Sequence, residues 1–116
     1  MDIHELHEKY YEENELEFYD SFDHMDFVVN LDDKAIGGLY FFDNYTEVVN
    51  IFVCPEYRKQ GLGNKVLKEL HKQRKGIYRL QTYFVMQDAI KMYQKFGYKI
   101  VDIDGDSVIM EYDNGH

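Results

Sequence analysis

Arg58-Lys59-Gln60-Gly61-Leu62-Gly63-Asn64 stands between an apolar run, Val48 to Cys54, and a helical pattern that begins at Leu62. Two glycines one residue apart let the backbone turn tightly and approach a ligand closely. A strand running into a helix through such a loop aims several free backbone N–H groups at one spot. The helix N-terminus adds partial positive charge there, so the spot favours phosphate. Arg58 and Lys59 flank it. The loop therefore reads as a phosphate cradle, suited to a pyrophosphate.

Other phosphate loops fit less well. A P-loop needs Gly-x-x-x-x-Gly-Lys followed by Ser or Thr, and the chain has no such string. A dinucleotide fingerprint needs a third glycine where Val66 stands, and no βαβ unit at the chain start supports one. The remaining pattern, Arg58-x-x-Gly61-x-Gly63, resembles the acyl-CoA pyrophosphate loop of the GNAT superfamily, the acyl-CoA-dependent N-acyltransferases. A second stretch, Ala89-Ile90-Lys91-Met92-Tyr93-Gln94-Lys95-Phe96-Gly97-Tyr98, resembles that family's pattern of a tyrosine three residues before an aromatic-Gly pair.

Patterning supplies the rest of the chain. Ile3, Leu6 and Tyr10 predict a helix over 2–14 capped by Asp2, and 16–22 reads as a second short helix. Strands are expected over 26–31, 35–42 and 46–54, with turns at Asp32-Asp33 and Asp43-Asn44. Gly37-Gly38 suggests a bulge or close packing. The cradle opens a helix carried to about Lys75 and stopped by Gly76. A strand over 78–85 follows, then a helix from Asp88 to Phe96 ended by Gly97. A hairpin of 98–102 and 107–112 turns at Asp104-Gly105. A meander followed by two crossover helices implies a mixed sheet with helices on both faces. The order resembles the GNAT fold over roughly the last 90 residues. The expected class is α/β, a mixed and mostly antiparallel sheet flanked by helices and lacking that family's usual first strand, in one domain over 1–116. Without that strand, the 26–31 strand becomes an edge that invites pairing with a second copy.

The resemblance assigns roles. Arg58, Lys59, Gln60, Gly61, Leu62, Gly63 and Asn64 would hold the cofactor pyrophosphate. Backbone groups of Ile51, Phe52 and Val53 would bind the thioester carbonyl and the pantetheine amides. Tyr93 would protonate the departing CoA thiolate as general acid, although Ile90, Tyr93 and Phe96 also form what a core-facing stripe looks like. Glu47, eleven residues before Arg58, stands where some members carry a general-base Glu; alternation would set it in a row with Val49, Ile51 and Val53. Asn50 and Gln81 are weaker polar candidates, and a base acting through water is open. Where the family often has an Asn, seven residues before Tyr93, this chain has Met86, so Gln87 substitutes or that contact is missing. Cys54, before Pro55, reads as structural, since a nucleophilic thiol needs a positioned base.

Composition sets the bounds. The chain has 116 residues, 45% hydrophobic, one cysteine and a net charge of −9. One cysteine excludes an internal disulfide framework and fits a reducing, cytoplasmic compartment. No metal-ligand spacing, signal peptide or membrane span is visible. Residues 1–26 carry ten acids and one lysine, while residues 27–116 balance twelve against twelve. A basic segment, 57–75, surrounds the cradle, and the acidic start argues against nucleic acid. The expected function is direct transfer of an acetyl or short acyl group from acetyl-CoA to a primary amine in a ternary complex, without metal. A cationic acceptor, a polyamine or a protein lysine, is mildly favoured, and a homodimer is open. The alternative is a non-catalytic acyl-CoA-binding or protein-interaction module on a shortened GNAT fold.

Overall fold

A computed structural model describes residues 2–13 and 22–115. The short helix expected over 16–22 lies outside the described residues, apart from Phe22, which opens a 3-10 turn, Phe22–His24. Asp2 starts the first helix, α1 (Ile3–Glu13), by accepting the Glu5 N–H on Oδ1 at 2.9 Å. Three antiparallel strands follow, β1 (Phe27–Leu31), β2 (Ala35–Phe41) and β3 (Thr46–Val53). The β1–β2 turn carries Asp32 and Asp33 at φ 52° and 56°, and Asn30 holds Asp33 through two 2.9 Å side-chain bonds.

After a 3-10 turn at Pro55–Tyr57, the cradle leads into α2 (Leu62–His71), then β4 (Gly76–Tyr83), α3 (Gln87–Phe96), β5 (Lys99–Asp104) and β6 (Ser107–Asn114). The sheet has six strands in the order β1-β2-β3-β4-β6-β5, with β3–β4 the parallel pair. It is mixed and mostly antiparallel, as expected, and among the described residues no strand precedes β1.

Two helix limits differ from the sequence reading. α2 ends at His71, not near Lys75, and Gly76 at φ +105° opens β4 instead of closing the helix. Side chains end it early: Asn114 donates to the carbonyls of His71 and Arg74, and the Tyr78 hydroxyl donates to Arg74 O at 2.8 Å. At α3 the cap position falls to Met86, without a side-chain cap bond. Asp88 sits inside the first turn, where its charge still complements the helix dipole.

Two apolar clusters flank the sheet. On one face Val66, Leu67 and Leu70 of α2 and Ile90 and Tyr93 of α3 pack on Ala35, Leu39, Val48, Leu80, Val108 and Met110. On the other, Ile3 of α1 and Phe22 pack on Ile36, Phe52 and Cys54. Helices thus cover both faces. The edge position of β1 agrees with the sequence reading, but β1 is largely half-buried and packs under α2. The opposite edge, β5, is exposed along its whole length and bears Ile100, Val101 and Ile103.

A bulge in β3 governs the site. Ile36 pairs with Phe52 but Gly38 with Val49, so β3 holds one residue more than β2 across this interval. The extra residue reverses the alternation. Before it, Val48 faces α2; after it, Ile51 and Val53 do. Gly37 makes room: a Cβ there would lie 2.5 Å from Ile51 Cδ1 and 2.7 Å from Val66 Cγ1. The glycine pair therefore marks close packing, and the bulge it suggested lies on the partner strand.

Candidate active site

β3 and β4 pair in parallel only from Thr46–Tyr78 to Val48–Leu80, then part. β4 continues against β6, and β3 continues against β2, so the facing edges beyond that point are left to a cleft. The Cys54 N–H bonds to Lys34 O at 2.9 Å, and alternation turns the N–H and C=O of Val53 toward the open side. The cleft has a volume of about 1000 Å³, and Ile51, Phe52 and Val53 line it together. These are the residues expected to offer backbone groups to a thioester arm.

The cradle forms the next part of the wall. Lys59 and Gly61 both have left-handed backbones, φ 65° and 77°. At Gly61, the N-cap position, glycine avoids the strain a side chain would bring. Its carbonyl accepts Lys65 N–H at 3.1 Å, and no side chain caps the helix. The N–H groups of the first helical turn, at Leu62, Gly63 and Asn64, therefore remain for a ligand. Gly63 works differently from the sequence reading. It is buried, and a Cβ there would lie 2.7 Å from Met92 Sδ, so its smallness brings α2 against α3. Arg58, Lys59, Gly61, Leu62, Gly63 and Asn64 all line the cleft; Gln60 is exposed on the loop and does not. Arg58 donates from Nε to Val53 O at 3.0 Å, and its guanidinium lies 5.6 Å and 5.7 Å from the ring centres of Tyr10 and Phe52.

Tyr93 reaches the same cleft from α3, at 7% exposure. Its ring also belongs to the core and packs 5.7 Å from that of Tyr98, as the core-facing stripe implied. Gln87 lines the cleft too, but its Nε2 is committed to Phe84 O at 2.5 Å. Met86 lines it and accepts the Thr82 hydroxyl on Sδ at 3.7 Å.

Glu47 is not on the face expected for it. The bulge separates it from Ile51 and Val53, and alternation places it with Val49 and Phe52 on the α1 side. It pairs in register with Arg79, is half-buried and does not line the cleft. Arg79 itself donates twice to Glu111, at 2.8 and 2.6 Å. Gln81 is exposed on β4, and the side chain of Asn50 lies outside the described residues. Cys54 is buried and donates to Asp33 O at 3.3 Å, and burial raises its pKa. His71 is no base for it. Its Nδ1 lies 2.5 Å from Leu67 O, which fixes that nitrogen as the donor, and Nε2 accepts the Tyr98 hydroxyl at 2.7 Å. Burial lowers the His71 pKa.

The sequence reading missed several cleft residues. His7 and Tyr10 arrive from α1, and Lys91 and Lys95 from α3. His7 is 1% exposed, 4.8 Å from the Phe52 ring, and burial lowers its pKa to about 4. No local signal marks His7, because the contact spans 45 residues. The lysines sit opposite the α3 core stripe and read as a solvated face. Among the described residues, no group of three or more His, Cys, Asp or Glu could hold a metal ion, and no helix is long and apolar enough to cross a membrane.

Known proteins share this fold. Over 72 residues the chain is 33% identical to a spermidine N(1)-acetyltransferase of Thermoplasma acidophilum, a match covering 59% of this chain and 45% of that protein. The chain thus spans about half the length of the curated relative it matches. The PaiA N-acetyltransferase of the same organism, solved in complex with coenzyme A, has a similar fold with a TM-score of 0.67 at 24% identity, covering 74% of this chain and 60% of that one. The ribosomal-protein-S18-alanine N-acetyltransferase of Escherichia coli gives a TM-score of 0.62 at 23% identity, covering 72% and 63%. The family model described as the acetyltransferase (GNAT) domain matches residues 23–100, which includes the parted strands, the cradle and the helix bearing Tyr93, and the chain belongs to the GNAT family.

Proposed function

We propose that residues 1–116 act as one acyltransferase unit that moves an acetyl or short acyl group from acyl-CoA directly to a primary amine. The parting of β3 from β4 beside the uncapped start of α2 carries this reading, because it joins an open strand edge and an anion site in one cleft. The pyrophosphate lies on the first N–H groups of α2 with Lys59 beside it, and Arg58 braces the loop through its bond to Val53 O. The thioester arm runs along Ile51 to Val53, where a backbone N–H meets the developing oxyanion.

The amine attacks the thioester carbonyl, the C–N bond forms, and the C–S bond breaks. Tyr93 gives its proton to the leaving thiolate. Glu47 takes the amine proton through water, since its side chain belongs to the α1 side of the sheet. A cationic acceptor, of polyamine type or a lysine side chain, suits the exposed acids of α1, Glu5, Glu8, Glu12 and Glu13, and is supported by the name of the Thermoplasma relative. Titration calorimetry with acetyl-CoA, followed by thiol release with a panel of amines, tests the reading. Binding with amine-dependent release is the expected result. Binding without release on polyamines, lysine peptides and small amines favours the non-catalytic acyl-CoA-binding module, and absence of binding overturns the transferase and leaves the protein-interaction module.

A further inference from the structure

We infer that Lys91 and Lys95 form a subsite for the 3′-phosphate of coenzyme A, so that the cleft distinguishes CoA from its 3′-dephospho form. The inference rests on the acyl-CoA reading above. The two lysines are four residues apart on α3, hence on one face, and both line the cleft. Both are exposed, and among the described residues neither joins an ion pair. Like charges at this spacing oppose the helix unless an anion lies between them or near them. Asp88, one turn before Lys91, also lines the cleft and offsets part of that charge, but it stands seven residues from Lys95.

The charge balance of the cleft points the same way. The chain carries −9 overall, yet among the described residues its cleft is lined by Arg58, Lys59, Lys91 and Lys95 against the single carboxylate of Asp88. Coenzyme A brings two separate anions, a pyrophosphate and a phosphomonoester on the ribose. The pyrophosphate uses the α2 N-terminus with Lys59. Arg58 is turned inward, bonded to Val53 O and stacked on Tyr10 and Phe52. The cations left for the second anion are the pair on the opposite wall. Lysine binds phosphate as a point charge, and two lysines suit a dianionic monoester better than one.

Calorimetry on four combinations tests this: wild type and Lys91→Gln/Lys95→Gln, each with acetyl-CoA and with 3′-dephospho-acetyl-CoA. Wild type should bind acetyl-CoA about tenfold more tightly than the dephospho form. The double variant should bind the two alike, with its affinity for the dephospho form unchanged. Lys91→Arg/Lys95→Arg should keep the preference. Equal affinities in wild type overturn the subsite, as does a preference that survives in the glutamine variant. A wild type that binds neither compound overturns the acyl-CoA reading itself, which separates the two failures.

Discussion

Lowering the pH from about 7.5 to about 5 should remove about 2 kcal/mol of stability through His7. Burial against Phe22 and Phe52 holds its imidazole neutral and lowers the pKa from 6.5 to about 4, with His4 adding repulsion. The unfolded chain takes up the proton near 6.5 and the folded chain only near 4. Between those values the unfolded state binds more protons, so stability falls as pH falls. The contribution is intact above the unfolded pKa and fully lost below the folded one. At about pH 5 the loss is one and a half units at about 1.4 kcal/mol each, which gives the figure above. Urea melts of wild type and His7→Leu at both pH values measure it. With a slope of about 2 kcal/mol/M, the wild-type midpoint should fall about 1 M more than that of the variant. His71 also loses stability with acid, but it does so in both proteins and cancels in the comparison. Equal midpoint shifts in the two proteins would show that His7 is not held neutral by the fold.

The other tests address cradle, chemistry and assembly. Gly61→Val, placed at φ +77°, should cost about 1–3 kcal/mol of strain and abolish acetyl-CoA binding in calorimetry; unchanged affinity would remove the cradle from the cofactor site. Gly63→Val should destabilise by about 1–3 kcal/mol through overpacking on Met92, and a thermal melt equal to wild type would contradict the tight α2–α3 approach. Tyr93→Phe should lower turnover by ~10²-fold while acetyl-CoA still binds, whereas full activity would leave the residue a core aromatic only. Light scattering should report a species twice the 14.0 kDa chain mass, returned to a monomer by Ile103→Lys on the exposed β5 edge; a wild-type monomer would show that this edge stays unpaired.

The sequence carried the local features well, because they depend on few residues. Gly61 and Gly63 marked the strand-to-helix loop, Asp32-Asp33 and Asp104-Gly105 marked the hairpin turns, and Gly97 ended α3 where expected. What was not legible depends on partners distant along the chain. The α2 terminus is set by Asn114, more than forty residues away, so Gly76 misled. The insertion of β6 between β4 and β5 follows from pairing, and no single strand encodes it. The β3 bulge is least visible of all. Val48 to Cys54 reads as one apolar run, and only the register against β2 shows the extra residue. That one residue moved Glu47 to the other face from Ile51 and Val53, and with it the geometry expected of the base.

The reversal has a consequence for the proposed chemistry. Ile51 and Val53 face the side of α2 and α3, where Tyr93 and the lysines of α3 lie, while the Arg58 guanidinium turns toward Tyr10 and Phe52 on the other side. Glu47 faces the α1 side, where the described surface carries Glu5, Glu8, Glu12 and Glu13 against Lys9. An unbulged strand would have put the base among the groups that bind the anionic donor. With the bulge, Tyr93 and Glu47, the proposed acid and base, belong to opposite faces of the sheet. On the proposed reading, a thioester in the cleft would present its sulfur to Tyr93 and its carbonyl face to the other side. On the same reading, a cationic amine drawn to the exposed acids of α1 would meet the carbonyl from that side. The face on which Glu47 stands thus follows from one extra residue in β3 and from Gly37, which leaves room for Ile51 opposite it.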